Sequence, residues 1–212
     1  MNTLVKIAVI LVLALTNNQA KAQNNFEKGM TKAFELWEEG KWNEAENMFE
    51  RIAKAEQDQW LPNYYVAQMN SLKSWNEKDA TVIKAQLGKA QEHLDIAKTK
   101  SSEENVELII MQAQIYTNWI VFDGMTYGMK YSGKVNELYK KALELEPENP
   151  RAVFCKADWE MGSAKYFGKD TTPYCDEIEA SLELFDTFKP ESAFHPNWGR
   201  ERAEEVTKSC KE

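Results

Sequence analysis

Two histidines, His93 and His195, are all that this chain of 212 residues contains, and neither has another metal-ligating residue at a motif spacing. That leaves little for a metal centre or for histidine acid–base chemistry, and His195, between Phe194 and Pro196, reads as a loop residue bonded to backbone. No GxSxG, HExxH or CxxC occurs. The three cysteines, Cys155, Cys175 and Cys210, form no Cys/His cluster, which argues against a redox or metal role. A run with the look of a phosphate-binding loop, GMKYSGKV from Gly128 to Val135, lacks a preceding strand and has Val135 where magnesium binding needs Ser or Thr. Carboxylate pairs such as Glu38-Glu39, Glu103-Glu104 and Glu204-Glu205 are explained by an acidic helical surface without catalysis. The reading is a protein that is not an enzyme and carries no cofactor.

Basic clusters and long apolar runs are scarce as well. The longest apolar stretch is Ile7 to Leu15, preceded by Lys6 and followed by TNNQ and Ala20-Lys21-Ala22. A positive flank, a short apolar run and a small-x-small site make residues 1–22 a secretory signal cleaved after Ala22, because a bilayer-spanning helix needs about 20 apolar residues. No cysteine lies at the cleavage site, so a lipoprotein is disfavoured; the product is expected to be periplasmic or secreted, with no membrane insertion after cleavage. Cleavage removes Lys6 and Lys21 and no acid, leaving 24 basic against 34 acidic residues, a net charge of −10. Such a surface repels nucleic acid backbone and anionic lipid, and no Lys/Arg cluster in the sequence compensates locally. Prolines are confined to positions 62, 147, 150, 173, 190 and 196, and long proline-free stretches between such stops suit an all-α chain.

What the chain has is an internal repeat. EAENMFERIAK from Glu44 recurs as KAQEHLDIAKT from Lys89, KVNELYKKALE from Lys134 and EASLELFDTFK from Glu179, each 45 residues after the last. In each, a small residue (Ala45, Ala90, Val135, Ala180) precedes a bulky one (Phe49, Leu94, Tyr139, Leu184) by four positions, which places both on one helical face. Ala67, Ala113 and Ala157 keep the same period in the intervening helices. A fixed period in this range with helical patterning predicts a solenoid of about four antiparallel helix pairs.

In chain order, Asn25 to Glu39 predicts a first helix ended by Gly40, the EAENMFERIAK stretch a second, and Trp60 to Trp75 a third with Pro62 in its first turn. Asp79 caps a fourth running to about Lys98, and Ser101 or Ser102 caps a fifth. After Phe188 the pattern changes. Lys189-Pro190 stops a helix, and Asn197 to Cys210 reads as a half-polar helix covering the apolar face that a last repeat leaves without a successor. The domain reading is residues 1–22 signal, 23–188 repeat domain and 189–212 cap. Cys175 lies 13 residues before Phe188 and Cys210 lies 13 after Asn197, so two antiparallel helices of equal length favour a Cys175–Cys210 disulfide, with Cys155 a small buried hydrophobe.

The chain resembles the tetratricopeptide repeat family, carried by Gly40, Trp42, Glu44-Ala45 and Phe49 in one unit and by Tyr139, Ala142 and Pro147-Glu148-Asn149-Pro150 in another. The resemblance spans roughly residues 25–188 and implies a fold more than a function. The family unit is about 34 residues, so about 11 extra residues per repeat must emerge, as longer helices and as loops at Asn76–Lys78, Asp123–Gly133 and Lys165–Pro173. By resemblance, a concave groove is lined by the first helix of each unit, here with Trp37, Tyr64, Gln68, Gln114, Asn118 and Asp158. It lacks the basic clamp of members that hold peptide carboxyl termini. Aromatics also gather near the inserted edge, including Tyr127, Tyr131 and Tyr166, either filling gaps left by the longer unit or forming a ligand surface. The expectation is an exported binding or scaffold protein for a protein or peptide partner of the cell envelope. The alternative is a small-molecule or glycan carrier using the 123–133 loop.

Overall fold

The computed structural model describes residues 23–101 and 104–210; the expected signal at 1–22 and the candidate cap Ser102 lie outside the described residues. The described residues form nine helices and no strand: α1 over 23–38, α2 (Trp42–Ala55), α3 (Leu61–Asn76), α4 (Ala80–Lys100), α5 (Val106–Phe122), α6 (Gly124–Leu145), α7 (Pro150–Tyr166), α8 (Thr172–Thr187) and α9 (Arg200–Cys210). Four antiparallel pairs, α1/α2 through α7/α8, stack into an all-α solenoid, with α3 against α5 and α5 against α7 along the inner row. Helix α9 packs on α8 as a terminal cap, and a disulfide joins Cys175 to Cys210 with Cα atoms 6.0 Å apart. Cys155 is free and buried.

The helix ends follow local chemistry. Gly40, at φ +75°, closes α1 while its N–H bonds Trp37 O and the Lys41 N–H bonds Leu36 O, a turn that an L side chain resists. Asp79 caps α4 by accepting from the N–H groups of Thr81 and Val82, as expected. The cap of α5 is Asn105, not Ser101 or Ser102: its Oδ1 accepts from the N–H groups of Glu107 and Leu108. Asparagine satisfies the same two orphan donors and sits closer to the apolar face that begins at Val106.

The small–large pairs act as the repeat predicts in three units. Ala45 with Phe49, Ala90 with Leu94, and Val135 with Tyr139 are all buried at 1% exposure or less. Each bulky member gains about 1.5–3 kcal/mol from that burial. The fourth unit departs. Ala180 is exposed, and Ile178 and Ser181 are the buried positions of α8, so the contact face is one residue out of register. Helix α8 must meet α7 on one side and Ala203 and Val206 of α9 on the other, and that second demand rotates it.

The segment expected as an inserted loop, Asp123–Gly133, is helical from Gly124 onward. Asp123 ends α5 and caps α6 in one residue, its carboxylate accepting from the Thr126 N–H. The additional length of the repeat goes into α4 and α6, of 21 and 22 residues, rather than into a loop there. Gly124, Gly128 and Gly133 have ordinary helical geometry, since the positive-φ glycines are Gly40, Gly168 and Gly199.

Residues 188–199, between α8 and α9, do more than connect. They run back across the inner row of helices as a strap. The Tyr65 hydroxyl donates to Phe194 O at 2.7 Å, and the Trp198 Nε1–H donates to the Tyr64 hydroxyl at 2.7 Å. The Phe194 ring meets Phe26 edge-on at 5.9 Å and stacks on Phe34 at 6.1 Å. Helix α3 is buried continuously from Leu61 to Ser71 because neighbouring helices enclose it and the strap closes its inner face. Trp198 packs against both hydrophobic clusters, one built mainly on α1–α4 and one on α5–α9.

Candidate functional site

Between α1, α3 and the strap lies a cleft of about 580 Å³, within the range of small-molecule sites. Helix α1 contributes Phe34 and Trp37, α3 contributes Tyr65, Gln68 and Leu72, and the strap contributes Phe194, His195 and Trp198. Three of these rings lie nearly parallel. Phe34 is 7° from Trp37 at 6.3 Å and 4° from Phe194 at 6.1 Å, with Tyr65 edge-on to Phe34 at 4.7 Å. A row of parallel rings offers π faces to a flat ligand while the edge-on ring holds the row in place. Glu35 and Glu38 stand on the rim.

One polar group in the cleft is unmet. Gln68 is 6% exposed and its Oε1 is buried without a hydrogen-bond partner. A buried acceptor left unpaired costs about 1–3 kcal/mol, so a ligand donor that reached it would recover that amount. Burial, with Glu107 nearby, pushes the Tyr64 and Tyr65 hydroxyls well above the normal tyrosine range, and both stay neutral phenols. The ring nitrogens of His195 face carboxylates, Nε2 at 3.8 Å from Glu107 and Nδ1 at 3.7 Å from Glu191.

The strap is anchored by a buried ion pair. Arg151 at 0% and Glu107 at 2% exposure form a two-point bridge, Nη2 to Oε1 at 2.6 Å and Nε to Oε2 at 2.7 Å, and Asn149 Nδ2 adds a bond to Oε1 at 2.9 Å. Burial raises the Glu107 carboxyl, but His195 and Arg151 beside it outweigh that and hold it below the usual carboxylate range. The Arg151 guanidinium also lies over the Phe188 ring at 4.3 Å, where the strap begins. Gly199, at φ +107°, ends the strap, with Phe185 3.0 Å from where a Cβ would stand.

Of the residues expected to line an open groove, the structure brings Trp37 and Gln68 into the cleft and uses the rest elsewhere. Tyr64 is wholly buried beneath Trp198. Asn118 Nδ2 donates to Ser71 O and to the hydroxyls of Ser71 and Ser74, and Gln114 Nε2 donates to the Tyr139 hydroxyl, so both tie helices together. Asp158 is half-buried, and burial pushes its carboxyl up. Tyr127 and Tyr131 stack in a row with Tyr116, at 5.8 and 4.3 Å, on the α5/α6 tip, and Tyr166 stands exposed at the end of α7. The strap residues Phe194 and Trp198, and with them Phe34, Tyr65 and Leu72, were outside the expectation. The available signal was FHPNW at 194–198, two large rings in a segment that two prolines keep from being helical.

No family model and no curated protein sequence matches this chain. Among solved structures it resembles the HusA haemophore from Porphyromonas gingivalis, with a TM-score of 0.73 over 87% of this chain and 92% of that one at 20% identity. At that identity the likeness is one of fold.

Proposed function

We propose that this protein is an exported, non-catalytic carrier of a flat, largely apolar small molecule of the haem class, held in the cleft under the strap. The row of parallel rings formed by Trp37, Phe34 and Phe194 carries the reading. It is supported by the fold shared with a protein described as a haemophore. Export follows from the signal read at residues 1–22 and accords with the Cys175–Cys210 disulfide. The ligand is gripped by stacking and burial. The neutral, bonded Tyr65 and the carboxylate-flanked His195 are poorly set to ligate iron, while the Gln68 carbonyl is buried and unpaired in the cleft wall, where a small side-chain rotation would turn it to a ligand donor.

A tetratricopeptide-like scaffold for an envelope peptide is the competing reading. It needs an extended groove, and the strap lies along the inner row of helices where such a peptide would sit. Titration of haemin, and of a metal-free porphyrin, into the mature chain distinguishes the two. Saturable quenching of tryptophan emission is expected, with affinity reduced at least about tenfold, or about 1.4 kcal/mol, by Trp37→Ser or Leu72→Glu. Both positions are partly solvent-exposed, so the fold should survive. The carrier reading fails if neither porphyrin saturates, or if both variants bind as the parent does.

A further inference from the structure

The four turns that link the first helix of each pair to the second lie along one edge of the solenoid, and almost every large exposed apolar side chain among the described residues is on that edge. Trp75, Val121, Met125, Met129, Tyr166 and Phe167 are at the ends of α3, α5 and α7 and the start of α6, whereas Ile96 and Leu145 lie toward the other edge and Leu72 lines the cleft. Met125 is 98% exposed, Met129 100%, Tyr166 83% and Phe167 69%. Helix register sets the last two pairs level. Trp159 Nε1–H bonds Asn136 across antiparallel α7 and α6, so Tyr166, seven residues on, comes opposite Met129, seven residues back. Tyr127 and Tyr131 stack on each other, Tyr131 stacks on Tyr116 and Tyr127 packs tilted against Trp119 at 4.7 Å, which stiffens the tip.

Charge distinguishes the half of this edge formed by the α5–α6 and α7–α8 turns, whereas the first two turns carry Glu38, Glu39, Glu44, Glu77 and Asp79. Lys84, Lys130, Lys134, Lys165 and Lys169 come from α4, α6, α7 and the α7–α8 turn. None has a carboxylate within ion-pair distance among the described residues. Four of them instead lie over rings: Lys84 over Phe122, Lys130 and Lys134 over Tyr131, and Lys169 over Phe167. Of the acids near these two tips, Asp123 and Asp170 are engaged as caps, accepting from the N–H groups of Thr126 and Thr172, Glu177 faces Lys156 at 3.7 Å, and Asp176 is exposed beside it. The lysines are scattered in sequence, which is why no basic cluster is visible there.

We propose that this edge seats the protein peripherally on an anionic lipid surface, with the methionine and Tyr166-Phe167 tips entering the interface and the five lysines facing the headgroups. The charge matches such a surface. The shape does too: the apolar side chains stand singly on protruding turns separated by charges, which a fluid interface accommodates and a protein partner would need matching pits to receive. Met125, Met129, Tyr166, Phe167 and the five lysines do not line the cleft, so the proposal stands independently of the ligand.

Co-sedimentation of the mature chain with phosphatidylcholine vesicles, with and without phosphatidylglycerol, tests it. Binding is expected only with the anionic lipid. It should weaken at least about tenfold in Met125→Ser/Met129→Ser and in Lys130→Gln/Lys134→Gln, and fall with added salt. Ile96→Ser should bind as the parent does, and circular dichroism should show unchanged helix in every variant. Equal partitioning of parent and variants, or binding to neither vesicle, overturns the proposal. So does a concentration-dependent dimer that Met125→Ser/Met129→Ser abolishes in the absence of vesicle binding, which would assign the edge to a second copy of the chain.

Discussion

Replacing Glu107 with glutamine removes one charge and almost no volume, and it should be among the most damaging single changes in the protein. Glu107 and Arg151 are both essentially without solvent contact, and the carboxylate receives bonds from Arg151 and Asn149 with His195 close by. The amide leaves the guanidinium buried and uncompensated, with Arg151 Nη1 already lacking a partner in the parent. Breaking a buried pair from one side costs about 3–5 kcal/mol. For a domain of this size that lowers the melting temperature by about 6–20 °C, at about 2–4 °C per kcal/mol. The pair should be read together with its deletion: Glu107→Leu with Arg151→Met removes both charges and should recover most of the loss.

The pH dependence follows from the direction of the shift. The Glu107 carboxyl is held below its ordinary value in the folded protein, so its contribution is complete above the unfolded pKa of about 4.3 and is lost as pH falls through the lower folded value. The gap between parent and Glu107→Gln should therefore be full near neutral pH and close in acid. Urea unfolding followed by circular dichroism with the disulfide intact measures both effects. A loss below about 1 kcal/mol at neutral pH, or a double variant as unstable as the single one, would refute the claim that this pair anchors the strap.

Three further outcomes are expected. Cys175→Ser with Cys210→Ser opens a loop of 35 residues and should cost about 2–4 kcal/mol in urea titrations, with α9 losing amide-exchange protection before the other helices. Glu46, raised by burial but brought down to about 2 by Lys73, Lys89 and Asn70, should give stability that persists above the normal carboxylate range and is lost only as pH falls toward that value; Glu46→Gln should flatten the acid limb of the stability curve. Gly199→Ala forces a side chain onto a φ of +107° and against Phe185, and should cost at least about 1–3 kcal/mol by thermal melting, more than alanine at Gly88, where nothing crowds the added methyl.

The repeat was legible because helix packing is periodic. Ala45, Ala90 and Val135 mark positions where backbones approach closely, and a residue that must be small every 45 positions leaves a trace in sequence whatever its neighbours do. The disulfide was legible because α8 and α9 run antiparallel, which brings Cys175 and Cys210 together, although α9 begins at Arg200 rather than Asn197 and at 11 residues is shorter than the 16 of α8. Register at the end of the solenoid was not. Ala180 fits the period, yet Ser181 is buried, because α8 answers to α9 and the period describes only what α8 shares with earlier helices. The length added to α6 reads as a loop in sequence because Gly124, Gly128 and Gly133 suggest turns, while the Tyr127 and Tyr131 rings packed against Trp119 and Tyr116 of α5 hold the same stretch helical.

The cleft was harder to see for a physical reason that also explains why it can exist. A groove read from repeats is an average surface, and the Tyr64 hydroxyl, Gln114 Nε2 and Asn118 Nδ2 are each bonded inside the fold, with Asn118 Oδ1 buried and unpaired among the described residues. What shapes that surface into a cleft is one non-repeating segment, and a non-repeating segment has no period to reveal it. The strap closes the inner row with Phe194 and Trp198, and its anchors come from helices far apart in sequence: Tyr64 and Tyr65 on α3, Glu107 on α5 and Arg151 on α7. Gln68 is the residue the strap leaves unsatisfied beside three parallel rings. If the strap served only to seal the solenoid, an apolar side chain at position 68 would stabilise the protein without other effect. Gln68→Leu therefore separates the two roles: a gain in stability accompanied by a loss of porphyrin affinity means that the unpaired carbonyl is kept for the ligand.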